Sequence, residues 1–179
     1  MYELTIVDEL EFEEPNDTGS FNHGYTQARL VVLFDRAGQY TPVTELSLDV
    51  SQIDLSQFDL RAKEEVKPDI CLYPKRGRSR PRDILKMTEM PLLAVEILSP
   101  KQGAYDILEK FKVYFELGVT SCWLVDPAIH TVTVYSSNNV WRTFGSNSGS
   151  NDPGRNGSGG GEVIDEQLAI RLPLHDIFE

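Results

Sequence analysis

Asp69, Glu96 and Lys110 are the residues of this sequence whose types and surroundings could do chemistry. Asp69 is followed by Ile70, Cys71 and Leu72, and Glu96 is enclosed by Ala94, Val95, Ile97 and Leu98. Each carboxylate should therefore emerge from a strand that is otherwise core-forming. A lone carboxylate is costly to bury; it persists in such a place when it is paired, hydrogen-bonded or holding a metal ion. Two such acids, with a lysine on the helix that follows the second, are what a one- or two-magnesium phosphodiesterase needs. Hard oxygen ligands suit a magnesium ion that keeps several waters and bridges to a phosphate. The ion lowers the pKa of a bound water, while an ammonium orients that water or stabilises charge on the phosphate oxygens. The plain account competes: Asp106 and Lys110 form an ordinary i, i+4 pair on a solvated helix face, and the two acids are strand-end groups paired elsewhere. Spacing alone favours the plain account.

The elements that must position these residues follow from periodicity. Leu92 to Leu98 is apolar on both faces except at Glu96, as expected of a central strand covered by helices on both sides. Val66 to Tyr73 is the strand bearing Asp69, and alternation puts Asp69 and Cys71 on one face with Ile70 and Leu72 on the other. Tyr105 to Leu117 reads as a helix stopped by Gly118, with Asp106, Lys110 and Tyr114 on one stripe. Ser121 to Val125, Thr131 to Ser136 and Val140 to Phe144 form a C-terminal β-meander. Before these, Tyr2 to Phe12 reads as an edge strand. A helix over 22–35 is expected, although the run from Leu30 to Phe34 would equally suit a buried strand. Val43 to Val50 alternates as a half-buried strand with Glu45 on its solvent face. His23 has no visible partner and is expected to cap or lie at the surface. The segment 145–161, rich in Gly, Ser and Asn, reads as a mobile loop, and Leu168 to Phe178 as an extended piece followed by a helical turn.

Composition bounds the rest. The 179 residues suffice for one domain, 1–179, with a single sizeable core. Cys71 and Cys122 stand isolated in apolar surroundings, which favours free thiols in a reducing cytoplasm. No apolar run is long enough to span a membrane. The formal net charge of -11 repels phosphate backbones overall. The opposite bias occurs after Asp69, where Lys75, Arg76, Arg78, Arg80 and Arg82 fall within eight positions. Such a run is usually a solvated loop, and its place beside Asp69 makes it a candidate phosphate grip.

A resemblance changes the balance between the two accounts. Pro68-Asp69, Val95-Glu96-Ile97-Leu98-Ser99-Pro100, the Asp106, Lys110 and Tyr114 stripe, Gly118-Val119 and Trp123-Leu124-Val125-Asp126-Pro127 occur in this order. Together they resemble the putative restriction endonuclease family, bacterial proteins of unknown biological role within the PD-(D/E)xK nuclease superfamily. The resemblance implies an α/β fold with a restriction-endonuclease-like mixed β-sheet flanked by helices. It implies Asp69, Glu96 and Lys110 as catalytic residues, with Mg2+ or Mn2+ held by Asp69, Glu96 and the main-chain carbonyl of Ile97. The usual lysine two residues after the second acid is replaced here by Leu98, and Lys110 matches a lysine relocated to the following helix. His23 and Gln27 resemble polar positions of the family's first helix more loosely, and join Lys75, Arg76, Arg78 and Arg80 as weaker candidates for nucleic-acid contact. The expected function is a magnesium-dependent endonuclease acting on nucleic acid, DNA in the first instance. Cutting both strands of a duplex would take two sites, hence a homodimer. The alternatives are a non-catalytic nucleic-acid or protein-binding module on the same fold, and a metal-dependent hydrolase of another phosphate ester.

Overall fold

The computed structural model of the protein describes residues 19–60, 65–77, 83–145 and 161–179. The expected strand over Tyr2 to Phe12 and the residues Arg78, Arg80 and Arg82 lie outside them, as does most of the Gly/Ser/Asn segment.

A six-stranded mixed sheet is the frame. Its strands are β1 (Tyr40–Thr44), β4 (Ile70–Pro74), β5 (Leu93–Ile97), β6 (Ser121–Asp126), β7 (Thr131–Ser137) and β8 (Val140–Gly145), side by side in that order. Two short strands, β2 (Leu48–Asp49) and β3 (Glu65–Val66), pair apart from it. Every neighbouring pair in the frame is antiparallel except β5 and β6. A parallel pair needs a crossover, and α2 (Ala104–Glu116) supplies it. β6, β7 and β8 form the meander expected from the sequence.

The first helix, α1 (Phe21–Ala37), starts where the Ser20 hydroxyl accepts from the His23 N–H, and ends at Gly38, whose φ of 73° favours a residue without a Cβ. It buries Leu30, Leu33 and Phe34 at helical spacing against Ile70, Leu72, Leu93, Val95 and Trp123 on one face of the sheet. The helix expected over 22–35 is thus confirmed over the strand alternative. On the other face α2 packs Ile107, Phe111 and Tyr114 against Cys71, Ala94 and Cys122. The two faces divide β4 as alternation requires, with Ile70 and Leu72 on the α1 side and Cys71 on the α2 side.

The chain closes with a hairpin of β9 (Glu162–Asp165) and β10 (Ile170–Pro173), then α3 (Leu174–Phe178). Asp165 fastens this hairpin to the sheet. Its Oδ2 accepts from the Ser121 hydroxyl at 2.6 Å and from Trp123 Nε1 at 2.9 Å, and its Oδ1 accepts from the N–H groups of Gln167 and Leu168. Trp123 is accordingly core, whereas Trp141 is exposed on β8. Of the expected mobile segment, Gly145 belongs to β8 and Gly161 directly precedes β9.

The expected strand over Val43 to Val50 is corrected. β1 stops at Thr44 and β2 starts at Leu48, because Glu45 takes a φ of 51°, in the left-handed region. Its N–H still donates to the carbonyl of Asp69, in register with the β1–β4 ladder, and the strand ends there.

Candidate active site

Asp69 precedes β4 directly and Glu96 is the fourth residue of β5, so the antiparallel pairing sets both acids at one end of the sheet. The β4–β5 register reaches Ile70 opposite Val95. Past that rung the side chain of Asp69 takes over, its Oδ2 accepting from the N–H of Ile97 at 2.5 Å. The other oxygen, Oδ1, lies 3.2 Å from His23 Nε2. The Asp69 carbonyl accepts from Gln27 Nε2 at 2.9 Å.

Glu96 shares the α2 side of β5 with Ala94 and is only 2% exposed. Lys110 and Tyr114, one helical turn apart on α2, both reach it. The ammonium of Lys110 lies 2.9 Å from Oε2, and the hydroxyl of Tyr114 donates to Oε1 at 2.6 Å. Burial and the neighbouring charge of Asp69 push the Glu96 carboxyl up to about 7, against the opposing pull of Lys110 and Tyr114. Tyr114 is itself pushed well up by burial and by Glu96, so it stays a donor. A carboxylate that titrates near neutrality, next to a second acid and one ammonium, is poised to gain a cation.

The structure therefore brings Asp69, Glu96 and Lys110 together, and the plain account of an i, i+4 pair gives way to a Glu96–Lys110 ion pair across two elements. His23 is corrected from a capping or surface residue to a buried one against Asp69; only its main-chain N–H joins the cap. Glu45 is exposed, as expected of the solvent face, and also accepts from Gln27 Nε2 at 2.9 Å. Lys75 and Arg76, the described part of the basic run, are not beside the acids. Lys75 and Arg76 follow the far end of β4, roughly 20 Å from Asp69 at about 3.3 Å per strand residue. There Lys75 faces Asp35, and Arg76 pairs with Glu89 while lying over the Tyr73 ring. An apolar hollow lined by Leu108, Phe111, Phe115, Tyr135 and Trp141 is likewise separate from the carboxylates. His175 is on the surface of α3, between Asp176 and Glu179.

The donor set suits a hard divalent cation. Among the described residues no group of three or more His, Cys, Asp and Glu side chains is arranged to hold a metal. The protein offers two carboxylates, which fits an ion that keeps several waters and takes up phosphate oxygens, as magnesium does. A cation there would relieve the repulsion between Asp69 and Glu96.

Comparison with known proteins gives the family and the fold. The model of the Uma2 family, described as putative restriction endonucleases, matches residues 2–152. The crystal structure of a putative nuclease belonging to DUF820 from Anabaena variabilis superposes with a TM-score of 0.62 at 20% identity. That superposition covers 89% of this chain and 81% of the other, and shows the same restriction-endonuclease-like fold. No curated protein matches the chain.

Proposed function

Since this chain belongs to the Uma2 family of putative restriction endonucleases, whose wider class generally uses divalent metal ions, we propose that it is a magnesium- or manganese-dependent endonuclease. Its substrate would be the phosphodiester backbone of nucleic acid, DNA in the first instance. One observation carries the reading. Asp69 is bonded to the N–H next to Glu96, and Lys110 is 2.9 Å from Glu96, so two acids and an ammonium share one point at the sheet's end.

Asp69 and Glu96 would hold the ion, with the main-chain carbonyl of Ile97 as a further ligand. Bound there, the ion would supply a water of lowered pKa and neutralise charge on the phosphate. Lys110 is on the helix that follows β5, and its side chain is 24% exposed against 3% for Glu96. It can therefore reach the substrate side while remaining tied to the acid. There its ammonium orients the attacking water and stabilises the charge gathering on the phosphate oxygens. Tyr114 fixes the rotamer of Glu96 from the buried side, and the Ile97 N–H does the same for Asp69. Cys71 and Cys122 are free and buried, which agrees with a reducing cytoplasm. Among the described residues no helix is long and apolar enough to cross a membrane. Cutting a duplex on both strands would use a two-fold dimer.

Supercoiled plasmid and single-stranded DNA and RNA, incubated with Mg2+, Mn2+ or chelator, test the reading. Cleavage should require the ion and fall below detection in Asp69→Ala, Glu96→Ala and Lys110→Ala. Cutting that survives all three substitutions would end the assignment. Binding without turnover would assign the non-catalytic module instead.

A further inference from the structure

We propose that Gln27 and Glu45 are positioning residues that clamp the peptide of Asp69 and so fix its carboxylate. The functional meaning of the clamp rests on the reading above. Both hydrogens of the Gln27 amide have acceptors: one is Glu45 Oε1 and the other the Asp69 carbonyl, each at 2.9 Å. The same carbonyl accepts from the N–H of Glu45 at 3.2 Å. Glu45 thus grips Asp69 twice, directly through its main chain and indirectly through Gln27.

Glu45 also takes a φ of 51°, which ends the β1 run, a conformation that non-glycine residues adopt seldom and that collects at functional sites. With the Ile97 N–H and His23 on the carboxylate, the three oxygens of Asp69 are held from α1, from the turn after β1 and from β5. A candidate metal ligand tethered in this way loses little freedom when it engages its ligand.

Amide hydrogen exchange of the metal-free protein tests the clamp, because the Ile97 N–H reports on the Asp69 carboxylate. Glu45→Ala and Gln27→Ala should each speed exchange at Ile97 by about tenfold while β6 amides are unchanged. The double variant should be no faster than either single one, since the two residues act as a unit. Glu45→Gln should behave as wild type, because its amide oxygen can accept the same Gln27 hydrogen. Unchanged Ile97 exchange in Glu45→Ala, or an equal acceleration throughout β5 and β6, would overturn the clamp. A parallel Mn2+ titration separates the two ideas. A local Ile97 response without Mn2+ uptake by the wild-type protein would remove the nuclease reading and leave the clamp standing.

Discussion

Glu96 and Asp165 are both strand carboxylates, buried to within 2% and 1% of their surface, yet they are treated in opposite ways. Asp165 receives four neutral donors, two on each oxygen, from β6 and from the turn of its own hairpin. Glu96 receives one hydroxyl and one ammonium, and has a second carboxylate beside it. Neutral donors that saturate an anion make a fastening. A cation opposite two crowded acids makes a place where protons and metal ions compete. The sheet carries its fastening at the hairpin, and the proposed chemistry belongs to the end where β4 begins and β5 finishes.

The largest expected contrast is in rate. Glu96→Ala or Asp69→Ala should lower metal-dependent cleavage by about 10³-fold or more, the order seen when a transition-state charge stabiliser is lost, while each protein still folds. Asp165→Ala should do the reverse. It should leave cleavage per folded molecule within a few-fold and cost on the order of 3 kcal/mol in a urea titration, because several buried donors lose their acceptor.

The second contrast is in pH. The folded Glu96 carboxyl sits near 7, above its ordinary 4.5, so the folded state binds more protons than the unfolded one between those values. The contribution of Glu96 is therefore fully present below about 4.5 and lost as pH rises through 7. At about 1.4 kcal/mol per unit, the loss is roughly 3 kcal/mol. Glu96→Gln should flatten this part of a stability profile measured by thermal melting from pH 5 to 8, and Mn2+ should flatten it in the wild-type protein by favouring the charged form. A wild-type profile without this decline would place Glu96 in the same class as Asp165.

The smallest effect belongs to Tyr114→Phe. Losing one hydroxyl donor should cost about 1 kcal/mol, reduce cleavage by no more than about tenfold, and move the midpoint of the pH profile upward, since Tyr114 favours the charged acid.

Much of this contrast was legible in the sequence at Glu96 and little of it at Asp165. An acid inside Ala94-Val95-Glu96-Ile97-Leu98 contradicts its own strand and so announces itself, and the i, i+4 spacing of Lys110 and Tyr114 puts both on the stripe that faces it. Asp165 ends a short strand after a low-complexity segment, where neither periodicity nor burial can be read. Glu45 was hidden for a different reason. The stretch Val43 to Val50 satisfies strand alternation, and what breaks it is the left-handed φ of Glu45, at a position with no glycine or asparagine to signal it. His23 likewise meets Asp69, a partner distant in sequence that no local pattern announces. Lys75 and Arg76 stand apart from the acids because nearness in sequence is not nearness in space: β4 carries the chain from Asp69 to its other end before Lys75 is reached.

Mn2+ uptake followed by electron paramagnetic resonance, at pH 8 on the wild-type, Glu96→Ala and Asp165→Asn proteins, tests the central claim most directly. The account predicts binding by the wild-type and Asp165→Asn chains that is abolished in Glu96→Ala. Equal uptake by Glu96→Ala and wild type would contradict it.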